Sequence, residues 1–252
     1  MLLINLTDLM KNTKPTLPEM EKFEWAIFLY NILTKYDTAY VDARTKLASA
    51  EKANNFNEIG REVLKFVNKW KSRVAENEGK TKDEISAWYK KNSDKLQKLN
   101  RNLLDLKDED YDTIREWYLS IKIDGIGPTT ISKVLHILKP KLFVAWDTEI
   151  AKKYGFKHDA YGYVDFIKEM KRFAEVITGW RDGNEVKYLT EKIKGLYEQG
   201  TKEETDPEVS KSPNDRITFL DAEGIELTKL IGEYNWVIMT NKIIVPPKWH
   251  PE

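Results

Sequence analysis

Gly125, Ile126 and Gly127 immediately precede Pro128 in the run Ile123-Asp-Gly-Ile-Gly-Pro-Thr-Thr-Ile-Ser-Lys133, and the chemistry such a run offers is the grip of an anion. A residue without Cβ takes positive φ at no steric cost, so the two glycines can fold a tight turn and let another backbone approach closely. Backbone amides in such a turn, beside the N-terminus of a following helix, carry partial positive charge and suit a phosphate, above all a DNA phosphate. Contact of this kind reads the nucleic-acid backbone and no base. A purely structural helix-to-helix turn also accounts for the two glycines taken alone.

Two helices must position this turn. Upstream, Ile114, Trp117, Tyr118 and Ile121 recur at spacings of three and four and predict an amphipathic helix ending near Lys122. Downstream, Pro128 stands where a first helical turn tolerates a missing N–H, and Ile131, Val134, Leu135 and Leu138 supply a second apolar stripe. Together with Thr129 and Thr130 after the second glycine, these flanks fit a whole helix-hairpin-helix pattern over about residues 112–139.

On these residues the segment resembles the helix-hairpin-helix DNA glycosylase superfamily, whose members excise damaged or mispaired bases. That family's motif is a Gly-hydrophobic-Gly hairpin, a helix that carries a catalytic lysine in some branches, a loop, and an essential aspartate. Gly125, Ile126 and Gly127 match the hairpin, Thr129 occupies the lysine position, and Asp147 in Val-Ala-Trp-Asp-Thr falls, eighteen residues later, where the aspartate belongs. The resemblance spans residues 20–180 in architecture, with its motifs confined to 123–150. Two departures narrow what it implies. Threonine has no amine to form a Schiff base with the sugar, so the implied chemistry is that of a monofunctional N-glycosylase, a hydrolase. Lys133, one turn further along the same helix, can face the same cleft, although a solvated lysine is the ordinary outcome. The chain contains no cysteine, which removes the iron–sulfur cluster of some branches.

The resemblance gives Asp147 a role. As the glycosidic bond lengthens, positive charge develops on the sugar, and a carboxylate beneath the ring stabilises it and orients or deprotonates water. Asp147 also precedes an expected helix over Thr148–Tyr154, where an aspartate serves as an N-cap. An extruded base needs stacking surfaces, for which Trp146, Trp117 and Tyr118 are the candidates, each of them equally a core aromatic by its spacing. The candidate DNA-binding set is Gly125, Ile126, Gly127, Thr129, Thr130 and Lys133.

Composition bounds the rest. With 41 basic and 41 acidic residues in 252, bulk electrostatics do not drive nucleic-acid binding. From Ile121 to Ala160, however, seven lysines face four carboxylates, a local excess of three positive charges that suits a salt-sensitive phosphate-binding face. Three scattered histidines and no cysteine give no metal-site pattern, and no cofactor is expected. No apolar run approaches the roughly 18 residues of a membrane span, and the first ten residues lack a basic start or a cleavage site, so cytoplasmic residence without a membrane partner is expected.

The expected fold is mainly α. A helical glycosylase-like body over 1–198 is followed by a linker over 199–216 and a small α+β appendage over 217–252. Phe23–Tyr36 predicts a central buried helix, Val41–Leu47 the start of another, Phe56–Val74 a strong amphipathic one, and Thr81–Leu104 a peripheral one. After the motif, Tyr163–Ile177 and Glu185–Tyr197 predict helices closing the bundle. The appendage comprises strands at Ile217–Leu220, Trp236–Thr240 and Ile243–Pro247 and a short helix over Glu226–Tyr234. The expected partner is double-stranded DNA, and the expected function is base excision in DNA repair. The alternative is a non-catalytic DNA-binding module of a repair or defence assembly.

Overall fold

The computed structural model describes residues 17–33, 36–72, 74, 78–99, 101–189, 191–192 and 226–239, and over these the protein is mainly helical. In chain order the helices are α1 (Met20–Leu33), α2 (Tyr36–Lys52), α3 (Phe56–Lys69), α4 (Glu78–Lys98), α5 (Asp108–Ser120), α6 (Pro128–Leu138), α7 (Thr148–Tyr154), α8 (Ala160–Gly179) and α9 (Leu227–Met239). Among the described residues no helix is long and apolar enough to cross a membrane.

The helix α3 carries Ile59, Val63, Phe66 and Val67 on one wholly buried stripe, and Asn55 caps its start by accepting the Glu58 N–H at 3.2 Å. It stops at Lys69 rather than running on to Val74. Lys71 enters the left-handed region at φ +60°, and the Asn68 amide bonds Val74 from both sides, N–H to Oδ1 at 2.9 Å and Nδ2 to carbonyl at 3.2 Å. Local side-chain bonding thus replaces the next helical turn. Against α3 lie α2 on one side and α4 on the other. At Gly60 an added Cβ would come within 2.5 Å of the Lys82 carbonyl, so α3 and α4 meet there almost backbone to backbone. Although polar along its outer face, α4 still buries Ile85, Trp88, Tyr89 and Leu96 in the common core.

The helix α8 is deeply buried along one face, with Tyr163, Phe166, Ile167, Met170, Phe173, Ala174 and Ile177 all fully enclosed. The expected central helix, α1, is buried on one face only: Phe23, Ala26, Ile27 and Tyr30 point inward while Trp25, Phe28 and Leu29 are half-buried. Its neighbour is α9, from the far end of the sequence, which also packs on α7 and α8.

The structure corrects one expectation for the appendage. Residues 236–239 continue α9 and are not a strand, because Leu230, Ile231, Tyr234 and Val237 recur at helical spacing and all reach the core. The linker over 199–216, the strands at Ile217–Leu220 and Ile243–Pro247, and the part of the expected Glu185–Tyr197 helix beyond residue 192 lie outside the described residues.

Candidate functional site

Between α5 and α6 the chain turns through residues 121–127. Gly125 takes φ +75°, and the Ile126 N–H closes the turn on the Ile123 carbonyl at 3.1 Å. Gly127 does not need its conformational freedom. Its φ of −92° and ψ of 179° suit any residue, and among the described residues a Cβ there would meet nothing within 4 Å. It also stands where a helix N-cap side chain would accept first-turn amides, and it has none to offer. The Tyr118 hydroxyl pins the turn by donating to the Pro128 carbonyl at 3.0 Å. Ile126 and Thr130 are buried, so their side chains serve the core, while Thr129 is half-exposed.

The segment from Phe143 to Asp147 passes beside α6, and side chains hold its backbone at three points. The His136 ring donates from Nδ1 to the Phe143 carbonyl at 2.7 Å, since a carbonyl can only accept. Tyr163 donates its hydroxyl to the Val144 carbonyl at 3.0 Å. The Trp146 N–H donates to the buried Ser132 hydroxyl at 3.1 Å, while that hydroxyl lies 2.8 Å from the Thr129 carbonyl. The segment ends at Asp147, which caps α7 by accepting the Ile150 N–H at Oδ1, 2.9 Å away. Asp147 remains half-exposed.

A cleft of about 310 Å³ opens at Asp147. Its aromatic walls come from Tyr30, Trp70, Trp146 and Trp236, four residues far apart in sequence. Thr129, Lys133 and His136 line it from α6, and Lys229, Gly232 and Glu233 from α9. Of the aromatics expected to stack on a base, Trp146 reaches the cleft but is 1 % exposed, packed on Tyr163 and Phe166. Trp117 and Tyr118 do not line it; they lie under the turn against Phe143 and Tyr163 respectively.

Lys133 faces inward. Its Nζ donates to the Trp70 carbonyl at 2.6 Å and reaches the Ser72 hydroxyl at 3.3 Å, so it does not extend along the outer face with the glycine turn. Burial pushes its pKa down to about 8, with the Asp147 charge opposing. Burial pushes His136 down to about 4, so its ring is neutral. His158 was not singled out by sequence. It lies with its nitrogens 3.4 Å from the Thr129 and Thr148 hydroxyls and its ring 5.1 Å from Trp146, and its pKa is lowered by burial against the pull of Asp147 and Asp159. Among the described residues no group of His, Asp and Glu is arranged to hold a metal ion.

The chain matches no family model, no curated protein and no solved structure when compared with them.

Proposed function

We propose that the protein is a helix-hairpin-helix DNA glycosylase that hydrolyses the N-glycosidic bond of a damaged or mispaired base. The observation that carries this reading is the aromatic-walled cleft open beside Asp147, because a non-catalytic DNA-binding module needs no such cavity. In this reading the turn at Gly125–Gly127 holds the phosphate backbone through its amides. A glycine at 127 that the protein's own packing does not require keeps those amides approachable. The target base leaves the stack and enters the cleft.

Chemistry then proceeds at the sugar. The bond from C1′ to the base breaks with its electron pair going to the base, and the half-exposed Asp147 carboxylate stabilises the positive charge left on the ring. Water adds to C1′ and gives its proton to Asp147; the departing base takes up one proton, directly from Asp147 or through solvent, which restores the carboxylate and leaves an abasic site and a neutral free base.

A second reading is favoured by one specific observation, the placement of the Lys133 amine in the same cleft with its pKa pushed down to about 8. A neutral amine there can attack C1′ and make the enzyme a glycosylase with lyase activity.

Excision from labelled duplexes carrying uracil, hypoxanthine, 8-oxoguanine, ethenoadenine or a mismatch tests both readings. Strand breaks that appear only after alkali, and vanish in Asp147→Asn, are the expected result. Asp147→Asn protein as active as wild type overturns the assignment. A borohydride-trapped covalent complex lost in Lys133→Met moves the chemistry to the second reading.

A further inference from the structure

Two faces of α9 have opposite characters. Leu230, Ile231, Tyr234 and Val237 pack into the core, whereas Lys229, Gly232, Glu233 and Trp236, spaced three, one and three residues apart, form the stripe that lines the cleft. Lys229 and Glu233 are 2 % and 3 % exposed and are hydrogen-bonded to each other, with the Lys229 ammonium 5.7 Å from the Tyr30 ring and 5.6 Å from the Tyr40 ring. Folding does not by itself require this stripe. A buried ion pair is commonly replaceable by apolar side chains of similar volume without loss of stability. A glycine inside a helix is unfavourable by about 1 kcal/mol relative to alanine. Nor does the packing of the described residues demand Gly232, since among them a Cβ there would meet only Val144 Cγ1, at an ordinary 3.9 Å. What the three residues share is the cleft, where the glycine lets a flat ring lie against helix backbone and the pair sets a strong donor beside a strong acceptor.

We infer that Lys229 and Glu233 are specificity-determining residues that read the edge of the extruded base, and that the base they select is one whose ring N–H adjoins a carbonyl. This lactam edge occurs in uracil, hypoxanthine and 8-oxoguanine, and also in guanine and thymine, so the pair sorts lactam from non-lactam bases. The Lys229 ammonium donates to the carbonyl and the Glu233 carboxylate accepts the N–H. A lactam suits the pair better than the amidine edge of adenine, because its N–H is the more acidic donor against a carboxylate. Its carbonyl also offers two lone pairs to an ammonium already engaged by Glu233. Ethenoadenine, whose added ring removes the N–H, leaves Glu233 facing an acceptor. The inference rests on the glycosylase reading for the route by which a base arrives, but the cleft's preference is measurable without it.

The test compares wild type with Glu233→Gln and with the double variant Lys229→Met/Glu233→Leu, which replaces the pair by apolar side chains and is expected to melt no lower than wild type. Excision is measured on duplexes containing uracil, hypoxanthine, 8-oxoguanine, adenine opposite 8-oxoguanine, or ethenoadenine. Binding of free hypoxanthine is followed in parallel by tryptophan fluorescence, since Trp70, Trp146 and Trp236 line the cleft. Expected are excision confined to one or more lactam bases, its loss by about 100-fold or more in both variants, and loss of hypoxanthine binding in the double variant. Lactam excision and hypoxanthine binding that survive in a folded double variant overturn the inference and leave the glycosylase reading standing, as does excision of ethenoadenine in preference to the lactams. Hypoxanthine binding that depends on the pair, with no excision of any base, leaves this inference standing and removes the glycosylase reading. Neither excision nor binding by wild type overturns both.

Discussion

The buried hydroxyl of Ser132 accepts the backbone N–H of Trp146, and the next residue in the chain is Asp147. One side chain on α6 thereby fixes where the carboxylate stands relative to the cleft. Replacing Ser132 by alanine leaves the Trp146 N–H without its acceptor in the core, at an expected loss of about 1–3 kcal/mol. Urea unfolding measures that loss. Excision should fall by more than the unfolded fraction explains, because a small displacement of a catalytic group is expensive in rate. Unchanged excision by Ser132→Ala would show that Asp147 is positioned independently of α6.

Asp147 caps α7 as well as facing the cleft, and the two roles separate in one substitution. Asparagine caps about as well as aspartate. Asp147→Asn is therefore expected to melt within a few degrees of wild type while losing excision by 100-fold or more. Asp147→Ala, lacking the cap, should lose about 1 kcal/mol in addition. A large fall in melting temperature for Asp147→Asn would point to a structural role for the charge.

The two glycines of the turn should respond differently to alanine. At Gly125, with φ of +75°, alanine is strained and about 1 kcal/mol of stability should be lost. At Gly127 the backbone tolerates alanine, and stability should hold or rise slightly. Duplex-DNA affinity should nonetheless drop in Gly127→Ala, and further in Gly127→Val, as the side chain shields the amides from phosphate. Fluorescence anisotropy against a labelled duplex at several salt concentrations reads this out. Wild-type affinity in Gly127→Val would remove the turn from the DNA-binding surface.

The buried His136 gives stability a defined pH dependence. Its ring donates to the Phe143 carbonyl and resists protonation because of burial, with Lys229 and Arg44 adding repulsion, so its pKa falls from 6.5 to about 4. The unfolded chain takes up the proton first as pH drops. The stability it contributes is accordingly present above pH 6.5 and is lost between 6.5 and about 4, at up to about 1.4 kcal/mol per pH unit. His158, also lowered, adds in the same sense. Glu185, whose pKa burial pushes up to about 7, acts in the opposite sense over the same window, so the effect of His136 is read against His136→Asn, which keeps a donor for the Phe143 carbonyl and does not titrate. The urea midpoint of wild type relative to that variant should be level from pH 8 to 7 and fall below 6.5, and a level difference from 6.5 to 5 would mean that His136 takes up its proton without unfolding.

Much of the arrangement is legible in the sequence where the determinants are local. The helices α5 and α6 follow from apolar spacing and from Pro128 at a helix start, and the place of Asp147 before α7 follows from a capping residue ahead of Thr148. The helix α9 escapes the same treatment at its C-terminal half, because Trp236 to Met239 is a short apolar run whose period is ambiguous within four residues; its helical register emerges only from Leu230 onward. The cleft escapes it altogether. Trp70 has the spacing of a core residue of α3 and belongs instead to the turn that Lys71 creates by entering the left-handed region. Tyr30, Trp70 and Trp236 come together through packing between elements widely separated in sequence, and no local pattern encodes that. Lys133 is a solvated lysine by its spacing alone, and only the position of the Trp70 carbonyl draws it inward.

The Tyr30 and Trp236 rings meet edge to face at 5.5 Å across 206 residues of chain, and Phe23 meets Tyr234 at 5.2 Å. That pairing of α1 with α9 dictates an order of assembly on the ribosome. The segment that carries the turn, Asp147 and α8 emerges first, and at that stage one side of the cleft is missing. Only the arrival of α9 delivers Trp236, Lys229 and Glu233 and encloses the space. A nascent chain that already carries the Gly125–Gly127 turn and Asp147 therefore precedes, in time, a chain in which the cleft beside Asp147 has all its walls.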